Sequence, residues 1–444
     1  MHRSPTSVAL RLLQLAVLLP AVGTLAAQPV AEANLSLKRA LELMRARDPN
    51  LQLAQTAVDQ ALADKITAGE RPNATLAYST SKINPAGHNG PGNYWNKSFD
   101  TVVSLSQPIE RGGKRKHRLA QAEANVDAAH ADYADSVRGE RLAVTEAYWE
   151  LKRAEEKYKN AQTLAEIEHR SIAASEQRLR VGDLPRLDVE RMRIDAAAAD
   201  NAVDSALGAL RDAQVALAAL IDVTAQAQEL SAADDWPHAV GVIEAPAGAG
   251  AAGETAEAVL ARRPDMLAAL KRVNAAEAAL QLAHAQTSRD ITISGQYEHN
   301  PMPTPAPTVG HTLLGIGVSV PIFTGNQYKG EIARAYADID AAKANLAKVR
   351  VAALADVHRA RADLAAAAQR AHRYDSDLTR RALDTEKTVE TAYARGGLAL
   401  ADLLDARRSL KATQDDATDA HADFAEALAA LAAAAPEDNA GTTP

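Results

Sequence analysis

Two hydrophobic periods divide this chain. Over most of its length apolar positions recur at the three-to-four spacing of a helix, and in four short stretches they switch to alternation. Helical periodicity runs from Leu35 to Ile66, opening after Asn34 or Ser36 as cap and leading to Gly69 and Pro72. It holds from Lys114 to Arg180 with only Gly139 interrupting, and from Gln327 to Arg395 with only Gly330. Neither stretch contains proline, so each predicts a helix of about 100 Å at 1.5 Å per residue. Both end at glycine turns, Val181-Gly182-Asp183-Leu184 and Arg395-Gly396-Gly397-Leu398, where glycine accommodates a left-handed backbone. Return helices over Leu187 to Ile221 and Leu400 to Leu431 are expected to fold back alongside, with Glu140, Arg141, Glu155, Glu156 and Lys157 marking wet faces.

The alternating stretches predict strands over Thr75 to Lys82, Ser98 to Gln107, Ile291 to His299 and His311 to Val320. Phe99, Thr101, Val103 and Leu105 give one mostly apolar face, opposed by Asp100, Ser104 and Ser106. Leu314, Ile316, Val318 and Val320 likewise oppose Gly315, Gly317 and Ser319. The segments between the strands, from Asn84 to Asn93 and around Pro301, Pro303, Pro305 and Pro307, carry the punctuation of loops. Tyr78, Tyr94, Trp95, Phe99 and Tyr297 gather near the loop ends, where amphipathic rings suit a lipid headgroup level. The alternation fits strands of a membrane barrel, and equally a small soluble sheet with one wet face. Four strands cannot close a barrel, since the smallest membrane barrels have about eight; strands that span must therefore come from several chains.

An internal duplication organises the whole. Pro49 in Arg47-Asp48-Pro49-Asn50-Leu51 is matched by Pro264 in Arg263-Pro264-Asp265-Met266, 215 positions on. Pro108, in the run Leu105 to Gly113, is matched at a distance of 213 by Pro321, in the run Val318 to Asn326. Gly182 pairs with Gly396 and Asp188 with Asp402 at 214. Residues 28–230 therefore form a first repeat and 255–435 a second, with a linker over 231–254 and a C-terminal tail over 436–444 that is expected to be disordered. Gly112 and Gly113, like Gly325, stand where a strand leaves for a helix, and Lys114, Arg115, Lys116 and Arg118 beyond them are placed to snorkel toward headgroups.

Composition sharpens this reading. With 3 Phe, 3 Trp and 5 Met among 444 residues, the chain lacks bulk for a thick core, while its alanine runs suit thin, closely packed helices. Residues 1–27 combine a basic start, an apolar run over Leu10 to Leu19 and small residues before Ala27, the pattern of a removed secretory signal peptide. There is no cysteine, which excludes disulfides, thiolate metal sites and the lipid attachment that exported bacterial proteins carry on an N-terminal Cys. A net charge of -8 with no basic domain points away from nucleic acid.

In this order and at these spacings, the residues resemble the TolC-type outer-membrane efflux channels over essentially the whole mature chain. The carriers are the duplication, the strand exits Gln107-Pro108-Ile109 and Val320-Pro321-Ile322, the patch Ala147-Tyr148-Trp149-Glu150-Leu151, and the run from Tyr393 to Ala406. The resemblance implies an α+β membrane protein: a homotrimeric twelve-stranded transmembrane β-barrel, four strands per chain, continuous with a long periplasmic α-helical barrel. It implies a passive duct in the bacterial outer membrane, needing no cofactor and doing no chemistry, that works with a periplasmic adaptor and an inner-membrane pump. It further implies a periplasmic gate at Asp402 and Asp405 with Tyr393 as part of a latch, and adaptor contact through Val181, Gly182, Asp183, Leu184, Gly396, Gly397 and Leu398. Leu398 stands where relatives often carry an arginine, which puts a latch built on that arginine in doubt. The run Ser106 to Arg115 resembles the heavy-metal branch typified by CzcC, which implies export of divalent cations by a resistance-nodulation-division system.

Other chemistry lacks its motifs. The 12 histidines include no His-Glu-x-x-His, and His88, His299 and His311 fall in or beside outer loops. No Gly-x-Ser-x-Gly elbow appears, and Gly112-Gly113-Lys114-Arg115 lacks the upstream glycine of a phosphate loop. A periplasmic adaptor would carry one hairpin rather than two repeats with strands in both. A duct for drugs, other organic solutes or type I protein secretion shares the fold and stays open as an alternative.

Overall fold

The computed structural model describes residues 34–87, 89–90, 92–239, 256–301 and 312–435. The expected signal peptide, the tail over 436–444, His88, His311 and the linker from 240 onward lie outside the described residues.

The first repeat opens with α1 (Leu37–Arg47), capped by the Ser36 side chain, which accepts from the Arg39 amide at 3.3 Å. Sequence periodicity predicts one helix to Ile66, but the chain breaks at Asp48 and restarts as α2 (Pro49–Gly69). Pro49 has no N–H to continue a helix and biases the preceding residue away from helical dihedrals, so it serves as a first helical position instead. The buried Asp48 side chain caps the restart, accepting from the Asn50 amide at 2.7 Å. Strands β1 (Thr75–Ser81) and β2 (Asp100–Ile109) follow. Next come α3 (Lys114–Arg180), whose 67 residues make one unbroken rod, and its return helix α4 (Arg186–Leu220).

The second repeat runs through α5 (Ala256–Arg262), α6 (Pro264–Gln286), β3 (Ile291–His299) and β4 (Thr312–Ser319). Its long rod is not continuous as expected: α7 (Lys329–Arg373) passes through a π-helical turn at Tyr374–Leu378 into α8 (Thr379–Ala394). The wide turn brings Asp375 within 2.7 Å of His421 and Tyr374 toward Asp416, both on the return helix α9 (Leu400–Ala434). Among the described residues, no helix is long and apolar enough to cross a membrane.

Large side chains concentrate where the rods meet the linker. Leu35, Met44, Val144, Tyr148, Leu151, Leu217 and Ile221 are fully buried together. The Tyr148 hydroxyl donates to the Leu35 carbonyl or the Asp234 carboxylate and accepts from the Asp234 amide, while Trp149 stacks on Trp236 at 5.4 Å. Farther along, the seam between α7 and α9 is mostly alanine, with Ala367, Ala368, Ala371 and Ala420 around Phe424. Small residues there let the helices approach closely, as the composition anticipates.

The strands form one antiparallel sheet in the order β1-β2-β3-β4, so the two repeats join through β2 and β3. Register sorts most side chains by polarity, with Val102 and Leu313 apolar members of the otherwise polar face. Tyr78, Val103, Tyr297 and Leu314 fall in one row, and Leu76, Leu105, Gly295 and Ile316 in another, all on one face. Ser79, Ser104, Ser106, Thr292, Ser294, Gln296, Gly315, Gly317 and Ser319 take the opposite face. Strand β2 extends to Ile109, past the expected end at Gln107; Pro108 is tolerated because β1 ends opposite Ser106, leaving β3 as the only ladder there.

Candidate functional site

Two regions hold the residues singled out by the sequence, the sheet and the tips of the helical hairpins. Among the described residues nothing covers the apolar face of the sheet: Ile316 is 89% exposed, Leu314 84% and Leu76 72%. An open apolar face of this size marks an interaction surface, for another chain or for a membrane. On the polar face glycine is sterically useful, since a Cβ at Gly317 would meet Ser294 Oγ at 2.7 Å and one at Gly315 the Gln296 side chain at 2.8 Å. The aromatic residues expected at the loop ends do cluster, with Tyr94 against Phe99 at 4.9 Å and Trp95 edge-on to His299 at 5.6 Å. His299 Nε2 lies 3.0 Å from the Trp95 carbonyl.

Between sheet and rod, Gly112 and Gly113 adopt φ of 71° and 73°. A Cβ on Gly112 would meet Ser288 Oγ at 2.3 Å, so the close approach of the two repeats needs glycine as much as the turn does. Three of the cations beyond, Lys114, Arg115 and Arg118, have protein partners instead of headgroups. Lys114 is buried on Asp290 at 2.8 Å, and Arg118 grips Glu110 at 2.7 Å and the Ala68 carbonyl at 3.0 Å. Arg115 donates to the Gly69 carbonyl at 2.5 Å. These side chains fasten the end of α2 and the start of β3 to the top of α3. At the second junction, Pro321 lies just past β4, and Gly325 has open space around it with an ordinary backbone; the left-handed residue is Tyr328, at φ 59°.

The tips are two matched turns. Gly182 donates to Leu179 O at 3.1 Å and Asp183 to Arg178 O at 2.9 Å; Gly396 donates to Tyr393 O and Gly397 to Ala392 O, each at 2.9 Å. This pattern closes a helix through a left-handed glycine. Val181, Gly182, Asp183, Gly396, Gly397 and Leu398 are exposed, whereas Leu184, read with them as a contact residue, is buried. Behind the turns Met192, Leu400 and Leu404 pack with Ile172 and Tyr393. The Tyr393 hydroxyl is buried without a hydrogen bond, and Arg178 stands 5.8 Å from the ring centre.

Asp402 and Asp405 sit on the first turns of α9 and both are exposed. Asp402 Oδ2 accepts from the Ala399 amide at 3.0 Å, capping the helix. Asp405 faces Arg408 at 3.4 Å, and Arg408 reaches across to Asp195 on α4 at 2.8 Å. The next residue inward, Arg407, is 4% exposed and meets Glu168 of α3, also 4% exposed, at 3.2 Å. It also lies near Glu386 and Glu390 of α8, at 3.6 and 3.4 Å. Burial pushes the Glu168 carboxyl above the usual carboxylate range, and Arg407 beside it offsets only part of the rise. Sequence reasoning missed this cluster. The repeat held the signal: Arg193 and Glu176 recur 214 residues on as Arg407 and Glu390, and Arg193 bonds Glu176 at 2.7 Å. Among the described residues no group of three or more His, Asp or Glu is arranged to hold a metal ion.

Two repeats donating a strand pair and a helical hairpin each have their counterpart among known proteins. Residues 40–222 and 255–436 match the family model described as outer membrane efflux protein. The chain belongs to that family. The match bears out the resemblance to TolC-type channels: this efflux protein is a transport duct rather than an enzyme. It is 24% identical over 384 residues to the cobalt-zinc-cadmium resistance protein CzcC of Cupriavidus metallidurans, covering 86% of this chain and 85% of that protein. It is also 24% identical over 404 residues to the pyoverdine export outer membrane protein OpmQ of Pseudomonas putida, covering 87% and 82%. Its fold is similar to the crystal structure of the outer membrane protein VceC of Vibrio cholerae, with a TM-score of 0.71, 21% identity and coverage of 90% of this chain and 95% of that one.

Proposed function

We propose that three copies of this efflux protein close a twelve-stranded barrel in the bacterial outer membrane and join their helices into a periplasmic tunnel, forming the exit duct of a tripartite resistance-nodulation-division system. The observation that carries this reading is the four-stranded sheet, whose apolar face is bare and whose outer strands β1 and β4 end the ladder within the chain. A closed barrel satisfies both edges and turns the bare face to lipid, which one copy cannot do. With no cysteine to acylate, the strands alone hold the chain in the membrane. The tunnel end docks on a periplasmic adaptor through the exposed tips at Val181, Gly182, Asp183, Gly396, Gly397 and Leu398, and an inner-membrane pump supplies the energy. Asp402 and Asp405 from three chains ring the constriction, where carboxylates attract cations and repel anions.

The cargo is divalent heavy-metal cations, supported by the match to CzcC across most of both chains. The equally extensive match to OpmQ favours a second reading, a duct for organic solutes. Deleting the gene and scoring growth on zinc, cobalt, cadmium, nickel and copper separates them: sensitisation to at least one metal is expected, and unchanged tolerance to all removes the metal reading. In planar bilayers, Asp402→Ala with Asp405→Ala is expected to weaken cation selectivity; unaltered selectivity removes the acidic ring.

A further inference from the structure

We propose that Asp48 and Glu140, with Asn50 beside them, bind a calcium ion that fastens the break between α1 and α2 to the long rod α3. The inference is independent of what the duct carries. Three observations carry it. First, the two acids face each other. Asp48 is 3% exposed at the head of α2; its Oδ1 accepts from the Asn50 amide at 2.7 Å, and its Oδ2 is buried with no hydrogen bond. Glu140 reaches across from α3, and its Oε1 accepts from the Asn50 side chain at 2.9 Å. The two carboxyls stand close enough to share a proton. Burial, and the Asp48 charge next to it, push the Glu140 carboxyl above the usual carboxylate range, and among the described residues no lysine or arginine offsets the rise. Buried charges of this kind are ordinarily paired or bound to a metal.

Second, the other repeat supplies a cation at the same joint. Asp48 corresponds to Arg263 and Asn50 to Asp265, each 215 residues on, at the head of α6. Arg263 is 2% exposed, and its guanidinium meets Asp265 at 2.7 Å and Asp356 of the rod α7 at 3.5 Å. The second repeat thus carries its positive charge on the chain, between two acids, whereas the first has an aspartate in place of that arginine. A cation between helix head and rod is what the two joints would then have in common.

Third, the donors are hard oxygens, which suit calcium or magnesium. Turning the Asn50 amide over presents Oδ1 in place of Nδ2, and Asn50 is exposed, so water can complete the shell. Calcium accepts such an irregular, partly hydrated sphere, whereas magnesium demands a near-ideal octahedron. Two acids fall short of the three or more of a strong site, so the affinity belongs with weak calcium sites, at a Kd of about 10⁻⁴ to 10⁻³ M.

The test is hydrogen exchange read by mass spectrometry on the purified full-length protein in detergent, stripped with EGTA and then given 10 mM calcium chloride. At that concentration a site of this affinity favours the fastened joint about ten- to a hundredfold. Exchange should slow by at least about tenfold in peptides spanning Asp48 and the facing stretch of α3, with the matching joint at Arg263 unchanged. Glu140→Gln and Asp48→Asn, the latter keeping a helix cap, should each abolish the calcium effect. Wild-type exchange that calcium leaves unaltered overturns the proposal, as does a calcium effect that survives in both variants. Protection that follows acidification alone, after correction for intrinsic exchange rates and with calcium inert, assigns the pair a shared proton and likewise removes the metal site.

Discussion

Removing Arg407 should loosen the tip far more than any surface change nearby. The substitution Arg407→Ala leaves Glu168, 4% exposed on α3, without the cation that lies 3.2 Å away. Stranding one member of a buried pair costs about 3 to 5 kcal/mol, because the remaining charge keeps its desolvation penalty. The low end applies: the remaining carboxylates around Arg407 include Glu390, half-exposed at 54%, so part of the cluster stays hydrated. A loss of about 3 kcal/mol in local opening free energy speeds amide exchange by about a hundredfold. Hydrogen exchange read by mass spectrometry on the detergent-solubilised chain should show this in peptides from α8 and the first half of α9, with α6 unchanged. The pH dependence has a definite sign. Burial already raises the Glu168 carboxyl, and loss of Arg407 raises it further. A carboxyl raised in the folded state adds stability below its unfolded value, near 4.3, and loses it as pH rises through the folded value. The Arg407→Ala defect must therefore shrink on acidification, where protonated Glu168 needs no counter-ion. Adding Glu168→Gln should recover much of the loss at neutral pH. Exchange within about twofold of wild type in Arg407→Ala, or a double variant as loose as the single, would refute the account.

Two further outcomes test the other end of the molecule. Ile316→Arg puts a charge on the most exposed apolar position of the sheet and should cost about 2 to 4 kcal/mol of insertion into vesicles, whereas Gln296→Arg on the opposite face should insert as wild type; equal insertion would contradict the assignment of faces. Gly112→Ala forces a methyl toward Ser288 Oγ, 2.3 Å from the ideal Cβ, at a left-handed backbone, and should lower the thermal midpoint of the oligomer by several degrees, with partial recovery from Ser288→Gly.

What the sequence disclosed divides along a physical line. Strands, rods and tip turns were legible because local residues dictate them: period-two alternation, unbroken helical spacing and glycine at left-handed positions. The break at Asp48 was not read: Pro49 stands at a first helical position, but the apolar pattern around it reads as continuous. The π-helical turn at Tyr374–Leu378 has no glycine or proline to announce it, and its contacts lie 42 and 46 residues away in α9. The basic run from Lys114 suggested headgroups because its partners are remote: Asp290 is 176 residues from Lys114, and the Ala68 carbonyl 50 from Arg118. A cation on a strand-to-helix boundary looks the same in sequence whether it meets lipid phosphate or a buried carboxylate.

The duplication explains why the contacts between hairpins hid from a reading that depended on repeats. Each hairpin carries its own staple, Arg193 to Glu176 in the first and Arg407 to Glu390 in the second, set 214 residues apart. These pairs lie within one hairpin, so they persist whether the hairpins touch or separate. The acids that cross between hairpins do not repeat. Glu168, which takes Arg407, maps onto Ala382, and Asp195, which takes Arg408, maps onto Ser409. Comparing the two halves reveals these contacts by subtraction: what both halves share holds each hairpin together, and what only one half has joins one hairpin to the other.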